Sequence, residues 1–326
     1  MAVTGRDVAE LVGVSPATVS LVVNGKAAGR VTRETEERVW AAVRELDYRV
    51  HSGASRLASG RPGNVVFVSP DPTNPFFSLL LDGLLEGLDD RFALSVMAPR
   101  GDDYSTLTVR RAQAGDVAAL VLVAPGDEII RDLSTTRPTV LIDAGARVRG
   151  VSGMNVDVRE AGRLLGDHLE GLGHRRAAYL GLDRERQTFR RRRAALGAKL
   201  AFVVPDAVVS RMSMDAARAA AAQALPAWIA AGVTAVVCAD DLLAFGVLRA
   251  AADAGVAVPA QLSVAGFNDT AYAAMVTPPL TSVDLRARDL GRGTAALLIE
   301  LLSGAAPSWA QVTPRLVVRA STGPTR

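Results

Sequence analysis

Cysteine is almost missing: 326 residues contain one, Cys238. A lone thiol closes no internal disulfide, which excludes a covalently stapled scaffold and fits a reducing compartment. Histidine occurs at His51, His168 and His174 only, without the spacing of a metal site. Lysine occurs only at Lys26 and Lys199, so arginine carries the positive charge. No stretch reaches the ~18 uninterrupted apolar residues of a membrane span. Residues 1–30 carry Arg6, Asp7 and Glu10 where an export leader would be basic and then apolar. The expectation is a cytoplasmic protein with no membrane partner, no metal and no cofactor.

Core-forming material is plentiful. Hydrophobic residues make up 49% and charged residues 22%, which argues against disorder. The length exceeds what one core usually serves, so two or three domains are expected. Net charge is only +3. Its distribution says more: Arg49, Arg56 and Arg61 share a Gly/Ser-rich stretch that holds no acid. Such a segment suits a phosphate backbone or, equally, a solvated linker.

The first fifty residues read as three short helices. Thr4 and Asp7 have capping-box spacing. Val8, Ala9, Leu11 and Val12 then form an apolar stripe, and Gly13 can end the helix in the left-handed conformation. Ser15 is a good N-cap, with Pro16 at the first helical position, where its missing N–H costs nothing. Val19, Val22 and Val23 make one buried face, while Thr18, Ser20 and Leu21 point elsewhere. Asn24-Gly25 is a turn signal, and a third helix starts near Thr32 with Val39, Ala42, Val43 and Leu46 inward. This spacing fits a helix-turn-helix, whose second helix enters the major groove by its N-terminal end. It also fits a plain three-helix bundle.

The wording of the segment goes further. Asp7-Val8-Ala9, Gly13-Val14-Ser15, Thr18-Val19-Ser20 and Val22-Val23-Asn24-Gly25-Lys26 occur in that order, followed by Thr32-Arg33-Glu34-Thr35 and Glu45-Leu46-Asp47-Tyr48-Arg49. The run resembles the DNA-binding headpiece of the lac-repressor (LacI/GalR) family. The resemblance implies that Thr4, Ser15, Thr18, Ser20 and Asn24 contact phosphates, and that Pro16, Ala17 and Leu21 face bases. Hydroxyls and amides on phosphates set register without carrying sequence information. Leu21 departs from the Arg or His common in the family and offers only apolar contact, for instance to a thymine methyl. Base readout is therefore expected to be apolar or to lean on DNA shape.

Residues 50–61 sit where the family has a hinge that folds on DNA and wedges a leucine into the minor groove. Ala54 and Leu57 match that pattern; Val50, His51 and Ser55 depart from it, and Gly53 weakens a helix by roughly 1 kcal/mol against Ala. An ordinary linker is the plainer alternative.

From Asn64 onward, short apolar runs alternate with amphipathic stretches. Val65–Val68, Leu94–Met97, Leu120–Ala124, Val140–Ile142, Ala177–Leu180, Ala235–Cys238 and Leu262–Ala265 read as buried strands. Leu79–Leu88, Glu160–Leu172, Asp215–Ala231, Asp241–Ala254 and Leu290–Ser303 read as helices. Such alternation implies α/β architecture with parallel sheets covered on both faces, in two halves around a cleft. Ligands in such sheets bind beyond the carboxyl ends of strands. Paired aromatics and several acids or amides follow these strands, which suits a sugar or nucleoside. Each residue also has a bland reading, with Asp241 as a helix cap and Phe76 and Phe77 as core.

The family resemblance extends here through Asn74-Pro75-Phe76-Phe77, Gly171-Leu172-Gly173-His174-Arg175, Asp241-Leu242, Gly266-Phe267, Pro278-Pro279-Leu280-Thr281 and Leu316–Thr322. It implies a fold of an all-α headpiece plus two doubly wound parallel-sheet subdomains like those of periplasmic binding proteins. It also implies effector contacts at Phe76, Phe77, Asp143 and Asp241, with Arg190 nominated from the run Arg190–Arg193. The family usually has Asn-Asp where this chain has Asp240-Asp241. The implied division is a headpiece 1–49, a hinge 50–61 and an effector and dimerisation domain 64–326. Its subdomains run over about 64–159 with 289–318, and about 160–288 with 319–326. The leucines 79, 80, 81, 84, 85 and 88 exceed one buried stripe, and the family dimerises there. Expected partners are therefore double-stranded DNA with a palindromic operator, a small-molecule effector, and a second copy of the chain.

Two rivals lose ground. Gly291-Arg292-Gly293 faintly echoes a dinucleotide fingerprint but follows no strand, and no nucleophile–base set is visible, so no enzyme is expected. A transporter's solute-binding protein would share the two-lobed fold, but this chain has a headpiece where an export signal belongs.

Overall fold

The computed structural model describes residues 3–23, 27, 29–46, 48, 63–88, 90, 92–99, 104–114, 117–133, 135, 137–183, 186–202 and 207–325. The headpiece helices are α1 (Gly5–Val12), α2 (Pro16–Val23) and α3 (Arg33–Glu45). Each begins where local chemistry says it should. The Asp7 carboxylate accepts from the Thr4 N–H at 2.6 Å and the Thr4 hydroxyl at 2.8 Å. Gly13 ends α1 at φ 73°, a conformation that disfavours any side chain. Ser15 Oγ accepts from the Thr18 N–H at 3.1 Å, and Thr32 caps α3 through Thr35. Val8, Val12, Val19, Val22, Val39, Ala42 and Val43 bury a small core between the helices.

Two parallel sheets follow. The first has strands β1 (Gly63–Val68), β2 (Phe92–Met97), β3 (Val117–Val123), β4 (Thr139–Ile142), β5 (Ser152–Val156) and β12 (Trp309–Val312), ordered β12-β5-β4-β3-β1-β2. The second has β6 (Arg176–Leu182), β7 (Ala201–Phe202), β8 (Ala207–Val209), β9 (Ala235–Cys238), β10 (Ser263–Phe267), β11 (Thr281–Asp284) and β13 (Arg315–Val317). Its order is β13-β11-β10-β9-β6-β7, with β8 also beside β6, and β13 antiparallel to β11. Both sheets thus repeat one winding: the first strand, β1 or β6, has the next strand along the chain, β2 or β7, on one side, and β3 or β9 on the other. That reversal is the switch point at which doubly wound sheets bind ligands.

Helices α4 (Pro75–Gly87), α5 (Thr106–Ala112), α6 (Asp127–Arg131), α7 (Val158–Gly171), α8 (Gln187–Gly197), α9 (Met214–Ala230), α10 (Asp241–Asp253) and α11 (Ala287–Leu302) link the strands. Burial follows position in the sheet. Every residue of β3 is buried, as a central strand covered on both faces must be. Edge strand β2 is nowhere buried, and Val96 is 47% exposed. No described helix is long and apolar enough to cross a membrane.

By internal contacts the chain falls into two units. The first comprises Met1–Asp71, Leu84–Met154 and Arg292–Trp309; the second comprises Pro72–Gly83, Asn155–Gly291 and Ala310–Arg326. Helix α4 contributes residues to both. The second unit is laced by the segment after β13. Ser321 is fully buried, takes the Thr281 N–H on its hydroxyl at 2.8 Å, and returns that hydroxyl to the Val264 carbonyl at 2.6 Å. Val264 N–H donates to the Ser321 carbonyl, and Gly323 N–H to Ser263 Oγ.

Candidate nucleic-acid interface and effector site

In α2 the valines Val19, Val22 and Val23 turn inward, which forces the rest of the helix outward. Ser15, Pro16, Ala17 and Ser20 are exposed, and Thr18 and Leu21 half-buried. The first turn carries no acid, so the helix dipole meets an anion without opposition. Thr4 is exposed at the start of α1. Asn24, Ala54 and Leu57 lie outside the described residues, as does the hinge. Arg38 Nη2 donates to the Val12 carbonyl at 2.5 Å, fixing α3 against the end of α1.

In the second unit, polar side chains gather at the carboxyl ends of β9 and β10. Asp240 caps α10, its Oδ1 accepting from the Leu242 N–H at 2.8 Å. Asp240 Oδ2 accepts from Asn74 Nδ2 at 3.0 Å and from Asn268 Nδ2 at 2.8 Å. Burial raises its pKa, opposed by Asn74, the Leu242 N–H, Arg192 and Asn268. Asp241 is fully buried, accepting from the Ser282 hydroxyl at 2.6 Å and the Thr270 N–H at 2.8 Å. Its pKa is pushed up to about 8, first by burial and further by the neighbouring Asp240 and Asp269. Gly266 makes room for it, since a β-carbon there would lie 2.5 Å from Asp241 Oδ1. Asn268 and Asp269 hold φ of 109° and 50°, left-handed conformations that non-glycine residues adopt only where surroundings impose them.

The arginine in this cluster is Arg192. Its guanidinium lies 3.8 Å from the Phe267 ring centroid and 4.9 Å from that of Phe189, and its Nη2 donates to the Ala239 carbonyl. Arg190, two residues earlier, lies on a different face of α8 and is exposed. The period was readable: Phe189, Arg192 and Leu196 recur at three and four, and Leu196 is buried. Asn74 and Asn268 stand in segments that the sequence reading marked, but it did not name them as site residues. Phe76 is buried and meets half-buried Phe77 edge-on at 5.3 Å, both in the second unit. Asp143 follows β4 in the first unit, at φ 54°. The structure therefore gathers Asp241 with Asp240, Asn268 and Ser282, and places Asp143 in the other unit.

Among the described residues no group of His, Cys, Asp and Glu is arranged to hold a metal. Cys238 is buried, and burial with the adjacent acids raises its thiol well above the usual range, which leaves no reactive thiolate.

Known proteins agree with this architecture. Residues 4–50 match the family described as bacterial regulatory proteins, lacI family, and residues 166–322 match the periplasmic binding protein-like domain. The HTH-type transcriptional regulator MalR of Streptomyces coelicolor is 32% identical over 97% of this chain and 95% of its own. Among solved structures, the transcriptional regulator CelR in complex with cellobiose aligns with TM-score 0.68 and 26% identity, over 98% of this chain and 99% of its own. A lac repressor dimer bound to operator and the anti-inducer ONPF aligns with TM-score 0.69 and 25% identity, over 99% of this chain and 100% of its own. The chain belongs to the LacI family of bacterial transcriptional regulators, DNA-binding proteins with a helix-turn-helix and a periplasmic-binding-protein-like domain rather than enzymes.

Proposed function

We propose that the chain is a cytoplasmic repressor that binds a palindromic operator as a homodimer and is controlled by a sugar or nucleoside-like effector. The observation that carries the effector reading is the buried set Arg192, Asp240 and Asn268 at the ends of β9 and β10. A guanidinium, a carboxylate and an amide in fixed positions present both donors and acceptors to ring hydroxyls. The cellobiose held by a structural relative is of that chemistry. Phe76 and Phe77 supply apolar surface for a ring, Asp143 and Asp241 keep their assignment as effector residues, and Arg192 takes the role first given to Arg190.

At the DNA end, Thr4, Ser15, Thr18, Ser20 and Asn24 fix phosphates, Pro16, Ala17 and Leu21 face bases, and Ala54 and Leu57 enter the minor groove. Dimerisation is supported by apolar surface in the first unit, where Leu85 of α4 is 52% exposed and Val96 of β2 is 47% exposed. The headpiece 1–49, hinge 50–61 and sensor 64–326 are the working parts. Effector binding changes operator affinity by the coupling energy, typically ~1–3 kcal/mol.

Selection of binding sites from a randomised duplex pool should return a palindrome, and Leu57→Ala should weaken binding to it while sedimentation still finds a dimer. Calorimetry with cellobiose, maltose and adenosine should find a ligand that Arg192→Gln loses. A non-palindromic consensus, or no heat from any of the three, would remove the corresponding half of the proposal.

A further inference from the structure

The side chain of Asn74 makes two contacts at once. Its Oδ1 accepts from the Phe76 N–H at 2.9 Å and so caps α4, while its Nδ2 donates to Asp240 Oδ2 at 3.0 Å. Both residues belong to the second unit, and both are buried. The start of α4 is thereby pinned to the start of α10, with Asn268 joining from the end of β10.

Lone pairs decide what this pin permits. A carboxylate oxygen has two good acceptor directions in its plane. Asp240 Oδ2 spends both, on Asn74 and Asn268, and Oδ1 spends one on the α10 cap. A ligand hydroxyl approaching Oδ2 must displace one amide. Asn268 is held by its own backbone, whose N–H donates to the Val283 carbonyl at 2.8 Å within the β10–β11 connection. Asn74 sits in the turn that opens α4, where its carbonyl accepts only from that turn, from the Phe77 and Ser78 N–H groups, and its side chain alone reaches Asp240.

We propose that Asn74 is a positioning residue that latches the first turn of α4 to Asp240, and that an effector hydroxyl engaging Asp240 opens this latch. The competition with ligand rests on the effector reading above; the latch itself does not. Because α4 supplies residues to both units, freeing its first turn alters a helix that the two units share.

Amide hydrogen exchange on the full chain tests it. The reporters are Phe76, whose N–H meets Asn74 Oδ1, and Phe77 and Ser78, whose N–H groups meet the Asn74 carbonyl. Asn74→Asp keeps an acceptor for Phe76 but sets carboxylate against carboxylate. Asp240→Asn keeps an acceptor for Leu242 but sets amide against amide. Each should speed exchange at the reporters about tenfold or more. The double variant Asn74→Asp/Asp240→Asn exchanges donor and acceptor, and an Asn268 amide turned about its last torsion meets the new donor with its oxygen. It should return the reporters to within about threefold of the parent rates. A purely structural cap would show no such rescue, so additive losses in the double variant overturn the latch. A second arm adds cellobiose, or whichever of the three ligands binds in calorimetry. Faster exchange at Phe76–Ser78 on binding supports opening, and slower or unchanged exchange overturns it. If no ligand binds, the effector reading fails by itself and the rescue experiment still decides the latch.

Discussion

Raising the pH should destabilise the second unit through one carboxyl group. Asp241 is fully buried, and its pKa rises from an ordinary 3.8 to about 8. Between those values the folded chain keeps a proton that the unfolded chain has lost, so unfolding releases it. Stability from this group is present at low pH and falls as pH rises, by up to about 1.4 kcal/mol per unit, until the folded group also ionises. Integrated with a folded value of about 8, the loss between pH 7 and 8 is about 1 kcal/mol, and it levels off near pH 9. His168 and His174, both lowered from 6.5 by burial, act below this window, and Cys238, raised from 9.0, acts above it; Asp240, also raised by burial, acts with the same sign as Asp241. The perturbation is Asp241→Asn. In the neutral acid the Ser282 hydroxyl turns, so that the acid O–H donates to Ser282 Oγ, the reverse of the bond the carboxylate accepts, and the other oxygen still accepts from the Thr270 N–H. An asparagine with its NH2 toward Ser282 and its oxygen toward Thr270 reproduces that pattern. The assay is urea unfolding followed by Trp228, a buried tryptophan in the second unit, with Trp40 and Trp309 replaced by phenylalanine. The parent should lose stability from pH 7 to 8 and the variant should not. A parent flat across that interval, or a variant with the parent's slope, would refute the reasoning.

Acid should loosen the segment after β13. His168 Nε2 shares a hydrogen bond with Thr322 at 2.9 Å, and His174 Nε2 with the Gly323 carbonyl at 3.0 Å. Because burial lowers both pKa values, the unfolded state takes up protons first as pH drops below 6.5, so stability falls there and exchange at 319–325, corrected for intrinsic rates, should accelerate. Val22→Ala, at a position 1% exposed in the headpiece core, should cost about 1–3 kcal/mol and abolish operator binding before the sensor unfolds, as circular dichroism and gel shift together would reveal. Ser15→Ala should cost about 1 kcal/mol of headpiece stability by loss of the Thr18 cap, measured by thermal melts. Gly266→Ala forces a β-carbon against Asp241 Oδ1, and calorimetry should find effector binding lost while operator binding persists.

Much of the fold was legible because its strands are uniformly apolar. Ala235–Cys238 read from the sequence as a strand is β9 to the residue, and Val65–Val68 and Val140–Ile142 fall inside β1 and β4. Of the strands that escaped, β5 and β11 interrupt their apolar residues with Ser152 and Asn155, and with Thr281 and Ser282. The side chains of Ser152, Thr281 and Ser282 meet partners far along the chain, at Ser308, at Arg319 and Thr322, and at Asp241, which no local window contains. Helix α4 starts at Pro75 rather than Leu79 because Asn74 caps it, a signal written in the Asn-Pro pair and overlooked. In the candidate site, the acids were visible as strand-end residues. Arg192 was not singled out, because four consecutive arginines read as a solvated face, and only the positions of Phe189 and Leu196 on one side of α8 tell which of them turns inward.

The lacing around Ser321 bears on synthesis. Residues 319–323 leave the ribosome after all the strands of the second sheet, yet Val264 and Thr281, translated some tens of residues earlier, depend on them for hydrogen bonds. A nascent chain stalled before residue 319 therefore leaves β10 and β11 with exposed polar edges, open to chaperones and proteases. Its headpiece would already be complete. Sealing the second unit late makes translation through residue 323 a condition for its completed fold.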